Sequence, residues 1–384
     1  MTHGLNDTEW ANPVNYERMR NERLAKAKAA MKENQMDALV CFFADNIRYL
    51  TGTLGIPIPK IMRYCIVTPD HDPILYEQGG DTGRIKQNAP WIKDLRVALP
   101  IHFVSYQEVV AWAKEIKGLL EELGLKKPRI GFDGTSFKLA RALQEAGIDA
   151  HDGASVMAKA RSVKTADEIE LIKESVALAD LAFEEARRLL RPGVRECDIQ
   201  AGMSKVLMER GVEMVRGVCT ARSYPYWRTF NSMRQVRTGD IFIIDRVHLY
   251  KGYACDHVRS FTCGKATAKQ KDLYKRCKER LHATLDQVKP GNTTADVQTG
   301  LRDPDDFSET TLHFGHGIGL DTHEWPFVTA SSTKEWAVLE KDMTMAFETY
   351  EHDGVQGVRL EENILITDDG YTLLSTYPLG QDFE

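Results

Sequence analysis

Acidic side chains within apolar stretches are the first sign of chemistry in this chain. Asp245 and Asp256 lie eleven positions apart (256 − 245) in the run IFIIDRVHLYKGYACDHVRSF. A carboxylate in such a setting is costly unless a positive group satisfies it. Downstream, His316, Glu348 and Glu361 complete a set of four carboxylates and one imidazole. Oxygen donors with one imidazole favour Mn, Fe, Co or Zn over Mg or Ca, so the set predicts a metal site.

Each of these residues has an ordinary structural alternative when it is taken alone. Asp256 fits a turn, Glu348 or Glu361 fits a salt bridge, and His316 fits a hydrogen-bonded core histidine. The metal site is therefore a prediction about the five residues together.

The elements that carry these residues belong to the second of two predicted domains. A chain of 384 residues with 42% hydrophobic content can bury a large core, and at this length one core usually divides into two. Helix-like and strand-like stretches alternate in the first part, which predicts an α/β domain over residues 1–155 that contains a helix at Tyr16–Glu33. The segment Asp45–Gly52 is predicted to be a loop that turns at its glycine.

The second domain is predicted to span residues 165–384 and to open with a long amphipathic helix. Thr165 or Asp167 is suited to cap a helix that begins near Glu168. The motif RPGVRECDI at 191–199 returns as KPGNTTADV at 289–297. A repeat at this distance, with helices followed by strands in both halves, predicts two similar α+β halves related by a pseudo-two-fold axis.

Composition narrows the classes of function. The net charge is −6 and the pI about 6.0, with acids and bases mixed along the chain, which argues against a nucleic acid partner. No apolar run reaches the roughly 18 to 20 residues that span a bilayer, and the first residues lack an apolar signal core. Seven cysteines without CxxC pairs fit reduced thiols. We therefore expect a cytoplasmic protein with no membrane partner.

Joined in order, the runs IIDRVHLYKGYACDHVRSF, GHGIGLDTHEWP and VRLEENILIT resemble the pita-bread metallohydrolase superfamily, which includes aminopeptidase P, prolidase and the metal-free creatinase. The resemblance implies an α+β pita-bread catalytic domain of two pseudo-symmetric halves, preceded by a smaller α/β domain of the creatinase or prolidase type. It also implies a homodimer and two divalent metal ions. The ligands would be Asp245, Asp256, His316, Glu348 and Glu361.

The resemblance implies hydrolysis of the Xaa-Pro dipeptidase or aminopeptidase type, in which a metal-bridged hydroxide attacks an amide bond of a small substrate. Glu348 would also act as general base, and His323 would donate a hydrogen bond to the developing oxyanion. Taken alone, His323 also fits a histidine in a surface turn. Arg359 would orient a ligand carboxylate through an ion pair. Arg259 fits the same role, and each of the two arginines fits a plain structural salt bridge equally well.

Departures from the peptidase pattern fall on substrate-handling positions. Arg246 follows Asp245 where a small residue is usual, which predicts a more crowded metal edge. Arg228 stands where these peptidases carry a substrate histidine, and His313 lies three residues before His316 instead of four. An arginine binds carboxylates but cannot accept a hydrogen bond.

The segment around Arg228 leaves a second function open. Tyr226, Trp227 and Arg228 resemble a non-peptidase branch that includes dimethylsulfoniopropionate lyase and ectoine hydrolase. Aromatic rings there would face a cation while Arg228 held its carboxylate, although Tyr226 and Trp227 equally fit core packing. The alternative is thus a hydrolase or lyase of a small zwitterionic compound, and a non-catalytic binding protein is the third possibility.

Overall fold

The computed structural model describes residues 14–55, 63–221, 231–298, 313–329, 336–380 and 382–383. The chain divides into two compact units, one spanning residues 15–161 and the other containing Val14 and the described residues from 162 onward. The division lies in the interval between the two predicted domains. Within the described ranges, no helix combines the length and the apolar character needed to cross a membrane.

The first unit is built on a six-stranded mixed sheet. Its helices are α1 (Tyr16–Glu33), α2 (Ala44–Thr51), α3 (Thr82–Asn88), α4 (Tyr106–Glu122), α5 (Phe137–Glu145) and α6 (Ala154–Ser162). Its strands are β1 (Ala38–Cys41), β2 (Tyr64–Val67), β3 (Ile74–Glu77), β4 (Asp94–Val97), β5 (Arg129–Phe132) and β6 (Asp149–Asp152). The sheet order is β4-β3-β2-β1-β5-β6. Apolar residues of α4 and α5 pack with those of the central strands to form the core of this unit.

The helix α1 has the bounds that the sequence predicts, but the predicted loop at Asp45–Gly52 is wrong. Residues 44–51 form α2, and the chain turns only at Gly52, which has a φ of 67°. No side chain in the local sequence caps this helix. Instead Asp133, after β5, accepts hydrogen bonds from the backbone N–H groups of Phe42 (2.6 Å) and Phe43 (3.1 Å). The start of α2 is therefore held by a residue about ninety positions away.

The second unit contains four helices and eight strands among its described residues. The helices are α7 (Ala166–Leu189), α8 (Glu196–Met208), α9 (Ala268–Leu285) and α10 (Thr294–Gln298). The strands are β7 (Met214–Thr220), β8 (Ile241–Tyr250), β9 (Tyr253–Thr262), β10 (His313–Gly317), β11 (Glu324–Thr329), β12 (Thr344–His352), β13 (Gly357–Ile366) and β14 (Tyr371–Leu373). They form one sheet of order β7-β8-β9 and another of order β11-β10-β12-β13-β14.

The helix α7 begins as its sequence predicts. Thr165 is the N-cap, its hydroxyl accepts from the backbone of Glu168, and the Glu168 carboxylate accepts from the backbone of Thr165. This reciprocal capping box satisfies two N–H groups that the first turn would otherwise leave unpaired. The buried face of α7, which includes Ile172, Val176 and Phe183, has the helical spacing expected of an amphipathic helix.

The two long hairpins of the second unit repeat one another in register. In β8–β9, Asp245 pairs with Val258, and in β12–β13, Glu348 pairs with Glu361. Both positions shift by 103 residues (348 − 245 and 361 − 258), so the two hairpins follow one alignment. The repeated PG turns before them are also alike, because Gly193 donates to Val236 and Gly291 donates to Leu339 through their backbones. These two halves supply the strands on which the predicted ligands lie.

Candidate metal centre

The two hairpins place their acidic residues by strand alternation. Cross-strand partners and residues two apart share one face of a sheet. The pairs Asp245–Val258 and Val247–Asp256 therefore put both aspartates on one face of β8–β9. Glu348 and Glu361 lie directly opposite one another on β12 and β13.

The histidine of the GHG run enters from the neighbouring strand. His316 lies on β10 and pairs with Ala346 of β12, two residues before Glu348. Its Nδ1 lies 3.0 Å from the backbone oxygen of Gly317, so a proton on Nδ1 is donated there and Nε2 keeps its lone pair. Nε2 lies 3.7 Å from Asp256 Oδ2 and 3.7 Å from Glu361 Oε1. A fixed tautomer with Nε2 facing two carboxylates is the arrangement of a metal-ligating imidazole.

Among the described residues, three buried carboxylate oxygens at this place have no hydrogen-bond partner: Asp245 Oδ1, Asp256 Oδ1 and Glu361 Oε2. Ligand atoms of these three residues lie within 4.8 Å of one another, as do those of Asp256, His316 and His323. Burial, followed by repulsion from Glu361 and Asp245, raises the pKa of Asp256 well above its usual range. Burial likewise raises the pKa of Glu361. Unpartnered anionic oxygens that repel one another fit a site for divalent cations.

The imidazole of His316 responds to the same carboxylates. Burial by itself would lower the pKa of His316, but the nearby carboxylate of Glu361 outweighs burial and the pKa is raised. Protons and metal ions therefore compete for one cluster of donor atoms, since metal ligands must be deprotonated.

Arg359 lies inside the cluster and contacts two of the predicted ligands. Its Nε donates to Glu348 Oε2 at 2.7 Å, and its two terminal nitrogens donate to Glu348 and to Asp245. The guanidinium is buried, and although burial alone would lower its pKa, the charges of Glu348 and Asp245 raise it well above the usual value. Arg359 therefore forms ion pairs with two of the predicted ligand carboxylates at once.

His323 lies at the open side of the cluster. Its Nε2 is 3.7 Å from Asp256 Oδ2, and its ring centroid is 4.3 Å from that of His316. More than half of its side chain (55%) is exposed, whereas His316 is buried. An exposed imidazole beside a buried carboxylate cluster can reach a molecule that enters from solvent.

Arg246 does not crowd the metal edge, contrary to the expectation from its size. Alternation turns it away from Asp245 to the opposite face of β8, where Nη1 lies 3.5 Å from Gln200 Oε1 of α8. Burial lowers the pKa of Arg246 to about 10.

Arg259 takes the structural alternative that its sequence context allowed. It pairs with Glu362 at 2.7 Å and donates to the backbone oxygens of Glu361 and Tyr377. Its partner is therefore the neighbour of a predicted ligand, not the ligand carboxylate.

The predicted substrate residues are only partly covered by the structure. Tyr226, Trp227 and Arg228 lie outside the described residues. His313 is the first residue of β10, and only its backbone is described, paired with Thr329.

Two residues near the cluster were not predicted from the sequence. The side chains of Ser260 on β9 and Asn363 on β13 bond the backbone of Arg359 and of Asp256, respectively. A signal was present in VRLEENILIT, because Arg359, Glu361 and Asn363 alternate and so share one face of a strand. The partner strand could not be inferred from that signal.

Comparison with known families decides the class of this centre. Residues 170–368, just over half of the chain, match the family model described as Metallopeptidase family M24. The chain belongs to metallopeptidase family M24. Residues 23–163 match the model of the Creatinase/Prolidase N-terminal domain. The predicted fold class, an α/β creatinase or prolidase-type domain followed by a pita-bread catalytic domain, is confirmed, and so is assignment to the metal-dependent hydrolases.

Relatives of this M24 chain extend over nearly its whole length. It is 26% identical over 367 residues to the Xaa-Pro dipeptidase of Pyrococcus furiosus, a match covering 91% of this chain and 96% of that protein. It is 25% identical to the Xaa-Pro dipeptidase of Lactobacillus delbrueckii subsp. lactis, with 91% and 95% covered. The solved structure of Xaa-Pro dipeptidase from Bacillus anthracis is similar in fold, with a TM-score of 0.77, 23% identity and 94% and 99% covered.

Proposed function

We propose that the protein is a dinuclear metal-dependent dipeptidase that hydrolyses Xaa-Pro dipeptides or closely related amides. One observation carries the proposal. The unpartnered carboxylate oxygens of Asp245, Asp256 and Glu361 meet beside the imidazole of His316 in an M24 chain. The relatives named Xaa-Pro dipeptidase that match nine-tenths of the chain support the substrate class.

The proposed ligands of two divalent ions, of Mn, Fe, Co or Zn, are Asp245, Asp256, His316, Glu348 and Glu361. When bound, such ions lower the pKa of a water molecule and polarise a substrate carbonyl group. The Nδ1 contact of His316 with Gly317 presents Nε2 to the centre. Arg359 balances the charge of the acids and holds the carboxylates of Glu348 and Asp245 in place.

Two side chains, one of which is also a proposed ligand, are assigned to the proton and to the negative charge that develops on the substrate. Glu348 accepts a proton from the attacking water and passes it to the leaving amine, with its orientation set by the hydrogen bonds from Arg359. His323, which is exposed to an entering substrate, donates a hydrogen bond to the carbonyl oxygen as charge develops there. The positions of Glu348, His323 and Arg359 around the cluster support these proposed catalytic roles.

Substrate contacts are proposed for His313, Tyr226, Trp227 and Arg228. Arg228 would bind the carboxylate of a dipeptide, because its planar guanidinium matches a carboxylate in a bidentate manner. A homodimer and a cytoplasmic location remain predictions that rest on the family resemblance and the composition.

The first experiment measures metal content and peptidase activity together. Elemental analysis of purified protein is expected to give close to two Mn, Fe, Co or Zn ions per chain, and Xaa-Pro dipeptides are expected to be cleaved. Asp256→Asn replaces the carboxylate that lies near Asp245 and Glu361 and also near His316 and His323. It should weaken metal binding by about 100-fold or more, because loss of a residue that only orients a ligand already costs about 10-fold to 100-fold. Asp353→Asn is the matched control, because this acid pairs with Lys269 beyond the ends of the strands.

The outcome separates the candidate functions. Metal-loaded protein that leaves Xaa-Pro dipeptides intact but degrades a quaternary ammonium or sulfonium carboxylate would overturn the dipeptidase proposal in favour of the zwitterion alternative. Protein that binds none of the four metals after reconstitution would overturn the dinuclear mechanism itself.

A further inference from the structure

Two side chains join the strands β9 and β13 at the metal centre by bonding backbone groups. The side-chain oxygen of Asn363 accepts from the backbone N–H of Asp256 at 3.3 Å, and its amide nitrogen donates to the backbone oxygen of the same residue. Asn363 is fully buried. One side chain therefore satisfies both backbone polar groups of a predicted metal ligand.

Ser260 does the same for Arg359 in the opposite direction. Its hydroxyl donates to the backbone oxygen of Arg359 at 2.8 Å and accepts from the backbone N–H of Arg359 at 3.0 Å. Ser260 is also buried. We call Asn363 with Asp256, and Ser260 with Arg359, the two reciprocal clamps.

The clamps are related by the internal repeat. The register of the hairpins shifts by 103 residues, which takes Ser260 to Asn363 and Asp256 to Arg359 (363 − 260 and 359 − 256). Asn363 on β13 therefore bonds the backbone of Asp256 on β9, and Ser260 on β9 bonds the backbone of Arg359 on β13. Asn363 and Ser260 thus occupy equivalent positions of the repeat and make equivalent pairs of hydrogen bonds. The two contacts are therefore one repeated feature of the fold.

The clamps stand where the sheets lack a ladder. Among the described residues, β9 pairs with β8, and β13 pairs with β12 and β14, but no ladder joins β9 to β13. Buried backbone N–H and C=O groups need partners, and here side chains supply them. Because each clamp makes two bonds to one residue, it limits both the separation and the sliding of the two strands at that residue.

We propose that Asn363 and Ser260 are positioning residues of the metal centre, an inference that rests on the proposed metal-dependent function. Asn363 sets the place of the backbone that carries Asp256. Ser260 sets the place of Arg359, and through it the carboxylates of Glu348 and Asp245. Each side chain bonds the backbone of the residue it holds, so its effect on metal affinity passes through that residue.

The test compares Mn²⁺ affinity with stability in matched variants. Ser260→Ala removes one small hydroxyl and is expected to raise the Kd for Mn²⁺ by about 10-fold, the lower end of the range for partners that orient metal ligands. Ser260→Thr keeps the hydroxyl and should restore an affinity close to wild type. Asn363→Ala is expected to have the larger effect, because it frees Asp256 directly. The free Mn²⁺ signal in electron paramagnetic resonance reports the Kd without any activity assay.

Ser175→Ala is the control for a purely structural role. The Ser175 hydroxyl is buried and donates to the backbone oxygen of Tyr253 at 3.0 Å. Tyr253 lies on the same strand as Ser260 but at its far end. The substitution Ser175→Ala should lower the urea midpoint of the metal-free protein and leave the Kd for Mn²⁺ unchanged. If Ser260→Ala behaves as Ser175→Ala does, with lower stability and unchanged affinity, the proposal is overturned.

A metal-independent arm distinguishes failure of the clamps from failure of the proposed function. In EDTA, Ser260→Ala and Arg359→Met should change the urea midpoint non-additively, since the first acts through the second. For comparison, the double variants that combine Ser260→Ala with Asn363→Ala and with Ser175→Ala are measured in the same way. Additive effects of Ser260→Ala and Arg359→Met would overturn the positioning role of Ser260, whether or not the wild type binds Mn²⁺. Non-additive effects in a protein that binds no Mn²⁺ would overturn only the proposed function.

Discussion

The hairpins β8–β9 and β12–β13 share one backbone register but carry different charges. Asp245 of the first corresponds to Glu348 of the second, so an acid stands at that position in both. Asp256, however, corresponds to Arg359, and Glu361 corresponds to Val258 through the same shift. The repeat therefore supplies a symmetric frame, whereas the chemistry comes from positions where the symmetry is broken.

The difference has an electrostatic reason. Four buried acids in a symmetric arrangement would repel one another without relief in the absence of metal. Placing an arginine at one of the repeated positions puts a cation within the cluster, where it pairs with Asp245 and Glu348. Asp256 and Glu361 keep unpartnered oxygens on the other side. The asymmetry thus leaves one part of the cluster neutralised and the other open to a cation.

The faces behind the hairpins differ as well. His248 lies on β8 and its side chain points away from the site. It is buried, and its Nε2 lies 2.9 Å from the backbone oxygen of Ser175 on α7. The corresponding position on β12 is Glu351, which pairs with Arg280 of α9 at 2.7 Å. One hairpin is backed by a neutral imidazole and the other by a partly exposed ion pair.

Replacing the cation of the cluster should have the largest effect. Arg359→Met removes the charge that balances the buried carboxylate of Glu348 and the partly buried carboxylate of Asp245. We expect the free energy of unfolding of the metal-free protein to fall by about 3–5 kcal/mol at pH 7. Urea denaturation in EDTA measures the change. Arg359→Lys keeps a charge but loses the planar fork, so it should recover only part of the loss; equal stability of Arg359→Met and wild type would contradict the asymmetric charge balance.

Low pH should reduce the stability that the neutral imidazole of His248, behind β8, contributes. Burial, then the charge of Arg246, lowers the pKa of His248 to about 4, whereas the unfolded chain binds this proton near pH 6.5. The contribution of His248 to stability is therefore complete above pH 6.5 and is lost as the pH falls from 6.5 towards 4. His248→Gln keeps a donor for Ser175 and cannot be protonated. Between pH 7 and pH 5 the His248→Gln variant should lose about 2 kcal/mol less unfolding free energy than the wild type does. Equal losses of the two proteins in urea titrations would show that the imidazole of His248 is not held neutral.

The ion pair behind β12 should have the smallest effect. Glu351→Gln removes the charge paired with Arg280, in a place where both side chains keep some contact with water. We expect a loss below about 1 kcal/mol in unfolding free energy, and a smaller loss in 1 M salt, because partly exposed pairs are weak and screened. A loss as large as that of Arg359→Met, measured in the same urea series, would mean that the two hairpins are stabilised alike.

Much of the local structure follows from the sequence. The helix α1 has the predicted bounds, and Thr165 caps α7, because helix periodicity and capping are properties of neighbouring residues. The helix α2 was missed for the opposite reason, since the partner of the backbone ahead of it is Asp133, far along the chain. Local patterns predict an element only where its stabilising contacts are themselves local.

The same distinction applies to the candidate site. Residue order, strand alternation and the family resemblance were sufficient to name the five proposed ligands and to place Arg359 next to them. The sequence alone also determined which side chains share a face of each strand, since the period of a strand is two residues. The partners of Arg259 and of Arg246 required the structure, because a buried arginine takes whichever acceptor the packing brings to it.

Only the tertiary structure decided that β9 lies against β13, with Asn363 on Asp256 and Ser260 on Arg359. These residues are about a hundred positions apart, and no local propensity encodes a contact at that distance. The contact is set by two hairpins that must bury their apolar faces and satisfy the backbone edges they leave between them. The sequence determined which residues offer donor atoms, and the packing of the two repeated halves determined that those atoms meet.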